Sequence, residues 1–160
     1  IAQTWQLPKG KGQEIHPIPC YIATDEMLQD DSKAEKYPLD AFGFHGPGRT
    51  HSTYPNVPWL REVHPDMVWM NPVDANPRGL KTGMLVKVFN DRGTLVLPVK
   101  VTPRIIPHLV AMPHGAWYKP DEKGVDLGGC FNVLTQLKPT PLAKANPSHT
   151  NLVQVEKFTG

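Results

Sequence analysis

The chain has 160 residues, a length that fits one domain with a substantial hydrophobic core. A hydrophobic fraction of 39% and a charged fraction of 20% indicate a globular chain and argue against intrinsic disorder. The net charge of +2 comes without a basic stripe, which argues against binding to nucleic acid, and no apolar run is long enough to span a membrane.

Turn-forming residues are spread along the whole chain. Eighteen prolines and thirteen glycines predict short elements joined by many turns, which favours a β-rich or mixed fold. Residues 1–36 lack a sustained apolar period, apart from a possible short helix near 25–28, and we interpret them as an irregular lead-in to a folded domain at 37–160. Because the chain opens without a leader-like segment, we expect it to be a piece of a longer polypeptide.

The first predicted strand contains Leu39, Ala41 and Phe42 and ends in the glycine-rich turn 43–48. The apolar run 68–70 predicts a second short strand.

A short helix is predicted directly after the second strand. Asn71 is suited to cap its N-terminus, and Asp74 is suited to return the cap. Pro77 limits the helix to one or two turns, and Gly79 suits the left-handed position that ends it.

The clearest pattern is a β-hairpin. Aliphatic residues occupy the odd positions of 95–101, a period of two that predicts one buried face. Its partner is 84–89, and the segment 90–93 supplies the turn. With further strands predicted at 108–112 and 152–155, five or six short strands and one or two short helices predict a closed or nearly closed barrel.

Seven short motifs occur in a fixed order between residues 48 and 157. They are GRTHST at 48–53, NPVDA with RGL and Gly83 at 71–83, VKVFNDRG at 86–93, PRI at 103–105, GAW at 115–117, NVLT at 132–135 and NLVQVEK at 151–157. Together they resemble the C-terminal molybdopterin dinucleotide-binding domain of the dimethyl sulfoxide reductase family, most of all in the catalytic chains of anaerobic dimethyl sulfoxide reductases. The resemblance covers about 37–158 and implies a mainly β fold, a double-psi β-barrel like that of aspartate decarboxylase.

The resemblance also implies a function. The domain would bind the molybdenum bis(molybdopterin guanine dinucleotide) cofactor of a bacterial oxidoreductase that reduces dimethyl sulfoxide or related S- and N-oxides in anaerobic respiration. Iron–sulfur clusters would lie in other domains. The implied partners are the rest of the catalytic chain, an iron–sulfur electron-transfer subunit and a membrane anchor subunit, with no nucleic acid and no direct membrane insertion. A twin-arginine leader would place the parent enzyme on the periplasmic side of the cytoplasmic membrane.

Ten residues are predicted to contact this cofactor, because they offer hydrogen-bond donors, amide edges or close backbone approach. They are Arg49, His51, Ser52, Thr53, His114, Gly115, Trp117, Asn132, Thr135 and Gln154. The loop 49–53 combines a cation, an imidazole and hydroxyl groups, which suits phosphates or a polar ring edge. The amide of Asn132 has both a donor and an acceptor, as the edge of a pterin does.

Eight of these assignments have a structural alternative. The alternatives are a turn cap for Ser52, Thr53 or Thr135, a turn for Asn132, core packing for Trp117, and solvent exposure for Arg49, His114 and Gln154. The functional alternatives are a selenate, nitrate or trimethylamine N-oxide reductase that carries the same domain, or a non-enzymatic double-psi barrel used for interaction. An interaction module would not need the loop 49–53 together with Asn132 and Thr135.

No catalytic residue or metal ligand is predicted. His51, His64 and His149 lack the HxH or HExxH spacing of zinc sites. Cys20 and Cys130 do not form a CxxC pair, and we interpret them as separate thiols. In the family that the chain resembles, the molybdenum ligand and any iron–sulfur cysteines belong to earlier domains, so the isolated chain is not expected to be catalytic.

Overall fold

The computed structural model describes residues 21, 26, 31–139, 144–146 and 149–160. The strands are β1 (Leu39–Phe44), β2 (Val68–Met70), β3 (Leu85–Phe89), β4 (Thr94–Val101), β5 (Leu109–Pro113) and β6 (Asn151–Lys157). The helices are α1 (Asp31–Lys36), α2 (Pro58–Val63) and α3 (Pro72–Ala75), with 3₁₀ turns at Asn76–Arg78 and Phe131–Leu134. The helix predicted near 25–28 lies outside the described residues except for Glu26, which is helical. Helix α1 lies at the end of the segment that was predicted to be irregular.

The six strands close into a barrel in the order β1-β5-β2-β4-β3-β6. The pairs β1–β5 and β2–β4 are parallel, and the other pairs are antiparallel. The predicted mainly β fold, a closed barrel of the double-psi type, is therefore confirmed, although three short helices have described bounds, besides the helical Glu26, where one or two were expected. Every helix in this part of the chain is too short or too polar to cross a bilayer.

The barrel interior is filled by the aliphatic faces of the strands. In the β3–β4 hairpin, Val86 pairs with Leu97 and Val88 with Leu95, and all four side chains are buried. Val99 follows on the same face of β4 and is fully buried. The period of two along β4 therefore correctly predicts that Leu95, Leu97 and Val99 enter the core, while Val101 is only partly buried and Val96 is buried on the other face.

Helix α3 begins as predicted but is fixed differently at its third residue. The Asn71 side chain accepts the Val73 N–H at 2.9 Å, and Gly79 ends the following 3₁₀ turn with φ 64°. The predicted return of the cap by Asp74 is wrong. Asp74 is buried beneath the loop that precedes β5, and its carboxylate accepts the backbone N–H of His108 at 2.8 Å.

The parallel pairing of β1 and β5 decides which loops meet. It places Phe44 beside Pro113, so the chain leaves both strands at the same end of the barrel. The segments that start at His45 and His114 therefore emerge side by side.

Candidate functional site

Two loops touch at this end of the barrel, which we call the histidine loop (45–54) and the glycine loop (114–117). Gly115 has φ 90°, and a Cβ built on it would overlap the carbonyl oxygen of His51. The indole N–H of Trp117 donates to the carbonyl oxygen of Ser52 at 2.9 Å, although the Trp117 side chain is 54% exposed. Trp117 is therefore not a core residue. Its hydrogen bond to Ser52 and the close approach of Gly115 to His51 hold the two loops together.

The 3₁₀ turn that carries Asn132 lies at the same end. A Cβ built on Gly43 would lie 3.1 Å from the Cβ of His114 and 3.4 Å from Cδ1 of Phe131. Phe131 therefore reaches the base of the glycine loop, and the next residue, Asn132, is exposed. Thr135 is buried and donates its hydroxyl to the Asn132 carbonyl oxygen at 3.1 Å, as a turn cap does.

The hairpin turn 90–93 anchors this 3₁₀ turn from the other side. The Asn90 amide and the Arg92 guanidinium both donate to the carbonyl oxygen of Leu134, at 2.9 and 2.7 Å. Arg92 also forms an ion pair with the buried Glu26 at 2.6 Å. The position of Asn132 is therefore set by hydrogen bonds from the barrel.

Arg49 is bound within the protein. Its guanidinium donates two hydrogen bonds of 2.8 Å to the Asp66 carboxylate and one of 3.0 Å to the carbonyl oxygen of His114, and the side chain is only 8% exposed. A bidentate pair of this kind is rigid. Arg49 therefore connects the histidine loop to the glycine loop. Its side chain is not exposed to solvent, and its charge is paired with that of Asp66.

The rest of the histidine loop is exposed and internally braced. The Thr53 hydroxyl donates to the Thr50 carbonyl oxygen at 2.6 Å, so Thr53 caps a turn. His51 and Tyr54 have φ of 50° and 64°, an uncommon region that costs energy for residues other than glycine. The side chains of His51 and Ser52 are exposed beside the glycine loop.

The structure does not bring Gln154 into this cluster. Its side-chain oxygen accepts hydrogen bonds from Arg78 at 3.1 and 3.3 Å and from the Val155 N–H at 3.0 Å. Among the described residues, these contacts join β6 to the turn after α3 and do not reach the histidine or glycine loop.

Three histidines cluster where the loops meet. The centre of the His45 ring lies 4.2 Å from the centre of the His114 ring and 4.9 Å from that of the His51 ring. The centres of the His51 and His114 rings are 5.3 Å apart. Nε2 of His114 is buried and has no hydrogen-bond partner among the described residues. No sequence pattern identified His45, because only the pairing of β1 with β5 brings it to His114.

The surroundings of His114 favour its neutral form by lowering its pKa. Burial, and then the nearby His45, His51, His149 and Arg49, lower the pKa of His114 below the usual 6.5 of histidine. A neutral imidazole has one nitrogen that donates and one that accepts a hydrogen bond. His114 can therefore offer either a donor or an acceptor to a ligand at neutral pH.

This shift predicts a loss of stability in acid. Below pH 6.5 the unfolded chain protonates His114 more readily than the folded chain does, so the free energy of unfolding should fall as the pH drops from 6.5 toward the lower folded pKa. Above 6.5 the contribution of His114 is fully present. Urea unfolding at pH values on both sides of 6.5 measures the slope, and His114→Gln should reduce it. An unchanged slope in this variant would show that other groups cause the pH dependence.

A buried carboxylate that the sequence did not predict shapes the chain between Trp117 and Asn132. Asp126 is fully buried and accepts the backbone N–H groups of Lys119, Gly128 and Cys130. These bonds fold the segment 119–130 into a fixed connection. Cys130 itself is a half-buried free thiol whose pKa is raised by burial, and Cys20 lies outside the described residues.

A separate cleft of about 190 Å³ lies between the histidine loop and α2. Its lining includes Tyr54, His64, Trp69 and Lys100, with the Lys100 ammonium 4.4 Å from the centre of the Trp69 ring. None of the three clustered histidines lines it, so the cleft and the histidine cluster are neighbouring features on either side of Arg49.

Comparison with known proteins identifies the family of this domain. Residues 42–152 match the family described as the Molydopterin dinucleotide binding domain. The chain belongs to this family. The matched region contains the histidine loop, the glycine loop and the turn that carries Asn132, so all three loops at this end of the barrel are part of the family's domain.

The curated relatives include dimethyl sulfoxide reductases and trimethylamine-N-oxide reductases, and they are much longer. The chain is 52% identical over 158 residues to dimethyl sulfoxide reductase DmsA of Haemophilus influenzae, covering 99% of this chain and 19% of that protein. It is 37% identical over 152 residues to a trimethylamine-N-oxide reductase of Salmonella typhimurium, covering 89% of this chain and 18% of that protein. The chain thus spans about a fifth of the length of the relatives it matches.

A solved structure has the same fold. Acetylene hydratase from Pelobacter acetylenicus superimposes with a TM-score of 0.72 over 89% of this chain and 21% of that protein, at 22% sequence identity. At this identity the likeness supports the barrel fold and carries no information on substrate.

Proposed function

We propose that the chain binds molybdopterin guanine dinucleotide as a domain of a molybdenum oxidoreductase, at the end of the barrel where the three loops meet. The convergence of the histidine loop, the glycine loop and the turn 131–135 carries this proposal. Local sequence does not bring these segments together. The parallel pairing of β1 with β5 and the contact at Gly115 join the two loops, and the close approach of Phe131 to Gly43 adds the turn.

The polar groups at this end fit such a cofactor. Nε2 of His114 has no hydrogen-bond partner in the described part of the chain. Ser52, on the adjacent histidine loop, is exposed, and so is Asn132 on the turn 131–135. A pterin and its phosphates need donors and acceptors of this mixed kind. We therefore assign direct contacts to His51, Ser52, His114 and Asn132.

The other predicted residues are proposed to act through their neighbours. Arg49 fixes the backbone of His114, and Trp117 fixes that of Ser52. Thr53 and Thr135 cap the turns, and Gly115 permits the close approach of the loops. No contact proposed here involves Gln154, whose side chain is bonded to Arg78. When bound, the cofactor supplies the redox and oxygen-transfer chemistry, and the chain binds it, orients it and limits the access of water.

We further propose that the parent enzyme reduces dimethyl sulfoxide or a related S- or N-oxide. The 52% identity to a dimethyl sulfoxide reductase, against 37% to a trimethylamine-N-oxide reductase, supports this order of preference. The proposal includes a bis(molybdopterin guanine dinucleotide) form of the cofactor, iron–sulfur clusters and partner subunits outside this chain, and export to the periplasm. The parent enzyme, purified and assayed with both oxides, would be expected to turn over the sulfoxide more efficiently.

Asn132→Ala tests the cofactor contact. In the molybdoenzyme that carries this domain, we expect the variant to fold and to lose a hydrogen-bonding contact of about 1–3 kcal/mol. The result would be lower cofactor occupancy, measured as molybdenum and as guanine nucleotide released per protein. Because the Asn132 side chain is exposed and its backbone carbonyl is retained, the turn should remain intact.

Asn56→Ala is the matched control, since Asn56 is also an exposed asparagine on a loop. It should leave molybdenum and guanine content unchanged. Equal occupancy in both variants would remove Asn132 from the site, and absence of both molybdenum and guanine nucleotide from the unmodified enzyme would overturn the proposed function itself.

A further inference from the structure

A buried carboxylate from the segment before the barrel reaches the surroundings of the turn 131–135. Glu26 is helical, precedes α1 in the chain and is only 4% exposed. Its Oε1 lies 2.6 Å from the Arg92 guanidinium and accepts the side-chain amide of Gln136 at 2.9 Å. Its Oε2 accepts the backbone N–H of Leu152. The carboxylate thus joins the hairpin turn 90–93, the residue that follows the turn 131–135, and the start of β6.

Arg92 carries this contact into the turn itself. The guanidinium that meets Glu26 also donates from Nε to the Leu134 carbonyl oxygen at 2.7 Å. A guanidinium is a rigid planar fork, so fixing one of its nitrogens fixes the direction of the others. Leu134 and Asn132 belong to the same 3₁₀ turn. The contact at Glu26 therefore bears on the direction in which the exposed Asn132 side chain points.

The ion pair fixes geometry more than it adds stability. A buried ion pair contributes little net stability, because the cost of desolvation offsets the attraction between the charges. A carboxylate accepts hydrogen bonds on both oxygens, whereas an amide of the same shape presents donors in place of one of them. Glutamine at position 26 would therefore be unable to keep the contacts with Arg92, Gln136 and Leu152 together.

The segment that carries Glu26 meets the same hairpin at two further points. Lys33 of α1 forms an ion pair of 3.0 Å with Asp91, and the buried Tyr37 ring meets the Phe89 ring edge-on with their centres 6.2 Å apart. The exposed ion pair contributes little energy, but the aromatic pair is fixed by packing. Both contacts align the segment along the β3–β4 hairpin, where the Glu26 carboxylate reaches Arg92.

We propose that Glu26 is a positioning residue of the cofactor site, which acts through Arg92 to set the turn 131–135 and so aims the Asn132 side chain at the cofactor. This inference rests on the proposed function, because it gives Glu26 a role in the proposed Asn132 contact. Glu26 is almost fully covered by protein, and we assign it no contact with the cofactor.

The first test needs no cofactor. In this 160-residue chain, Glu26→Gln should shift the backbone amide resonances of residues 132–135, because the Arg92 fork would lose its anchor. Glu35→Gln is the matched control, since Glu35 is an exposed glutamate on α1, and it should leave these resonances in place. Unshifted resonances of 132–135 in Glu26→Gln would overturn the proposal.

The second test uses the molybdoenzyme that carries this domain. Below the unfolding temperature, Glu26→Gln should release guanine nucleotide about fivefold faster than the unmodified enzyme, the factor that corresponds to one lost hydrogen bond. In enzyme that already carries Asn132→Ala, Glu26→Gln should cause no further acceleration, since residues that act through one contact are not additive. A purely structural role would accelerate release equally in both backgrounds. Equal acceleration in both, or acceleration in neither, would overturn the positioning role.

Arg92→Lys decides if Glu26→Gln fails to fold. Lysine keeps the positive charge but lacks the fork that reaches both Glu26 and the Leu134 carbonyl oxygen. It should give the same amide shifts and the same lack of additivity with Asn132→Ala, and the absence of both would overturn the proposal. Absence of molybdenum and guanine nucleotide from the unmodified enzyme would overturn the proposed function as well. An unchanged release rate for Glu26→Gln in an enzyme that holds the cofactor would overturn the role of Glu26 alone.

Discussion

Replacing Val99 by Asp is expected to lower the free energy of unfolding by several kcal/mol at neutral pH. Val99 lies in β4 with no exposed surface and pairs with Val68 of β2, so the new carboxylate would enter the closed barrel without a partner. Burying an unpaired charge costs several kcal/mol, and the stability of a whole domain is only about 5–15 kcal/mol. Urea unfolding followed by circular dichroism measures the change.

Leu85→Asp provides the matched control in the same hairpin. Leu85 lies at the start of β3 and is 50% exposed, so its carboxylate would remain hydrated. We expect a loss well below that of Val99→Asp, typical of a surface substitution. If the two variants were equally stable, the face of β4 that points into the barrel would have been assigned wrongly.

The parts of the fold that depend on neighbours in sequence could be predicted. The alternation along 94–101 identifies the buried face of β4, since side chains of a strand point to opposite faces in turn. The cap by Asn71 and the left-handed Gly79 follow from residue type within a few positions. The family motifs predict which loops carry the cofactor site, and this stays a prediction.

The partners that fix the site could not be predicted, because they are distant in sequence and carry no spacing signal. Arg49 is a potential phosphate donor by residue type, yet its guanidinium is bound by Asp66, which follows α2. His45 joins the histidine cluster only through the pairing of β1 with β5. Asp126 shapes the segment before Asn132 through three backbone N–H groups that no sequence pattern identifies. Residue type therefore indicates what a side chain can bind, and the fold decides what it does bind.

Gly115→Ala is expected to separate the histidine loop from the glycine loop. A Cβ at position 115 would overlap the carbonyl oxygen of His51, which is backbone and cannot turn aside as a side chain would. The loops must then move apart, and the hydrogen bond from the Trp117 indole to Ser52 should be lost. We expect about 1–2 kcal/mol from alanine at positive φ and about 1–3 kcal/mol more from the overlap.

Gly124→Ala separates these two contributions. Gly124 has φ 80°, close to the 90° of Gly115, but a Cβ built on it would meet no atom within 4 Å. Its variant should therefore show only the loss from positive φ, and the indole N–H resonance of Trp117 should not shift. In Gly115→Ala that resonance should move toward the position of a solvent-exposed indole, and the free energy of unfolding should fall further than in the control. If both variants lost the same stability and kept the Trp117 resonance, the two loops would not be in close contact, and the convergence that supports the cofactor site would fail with it.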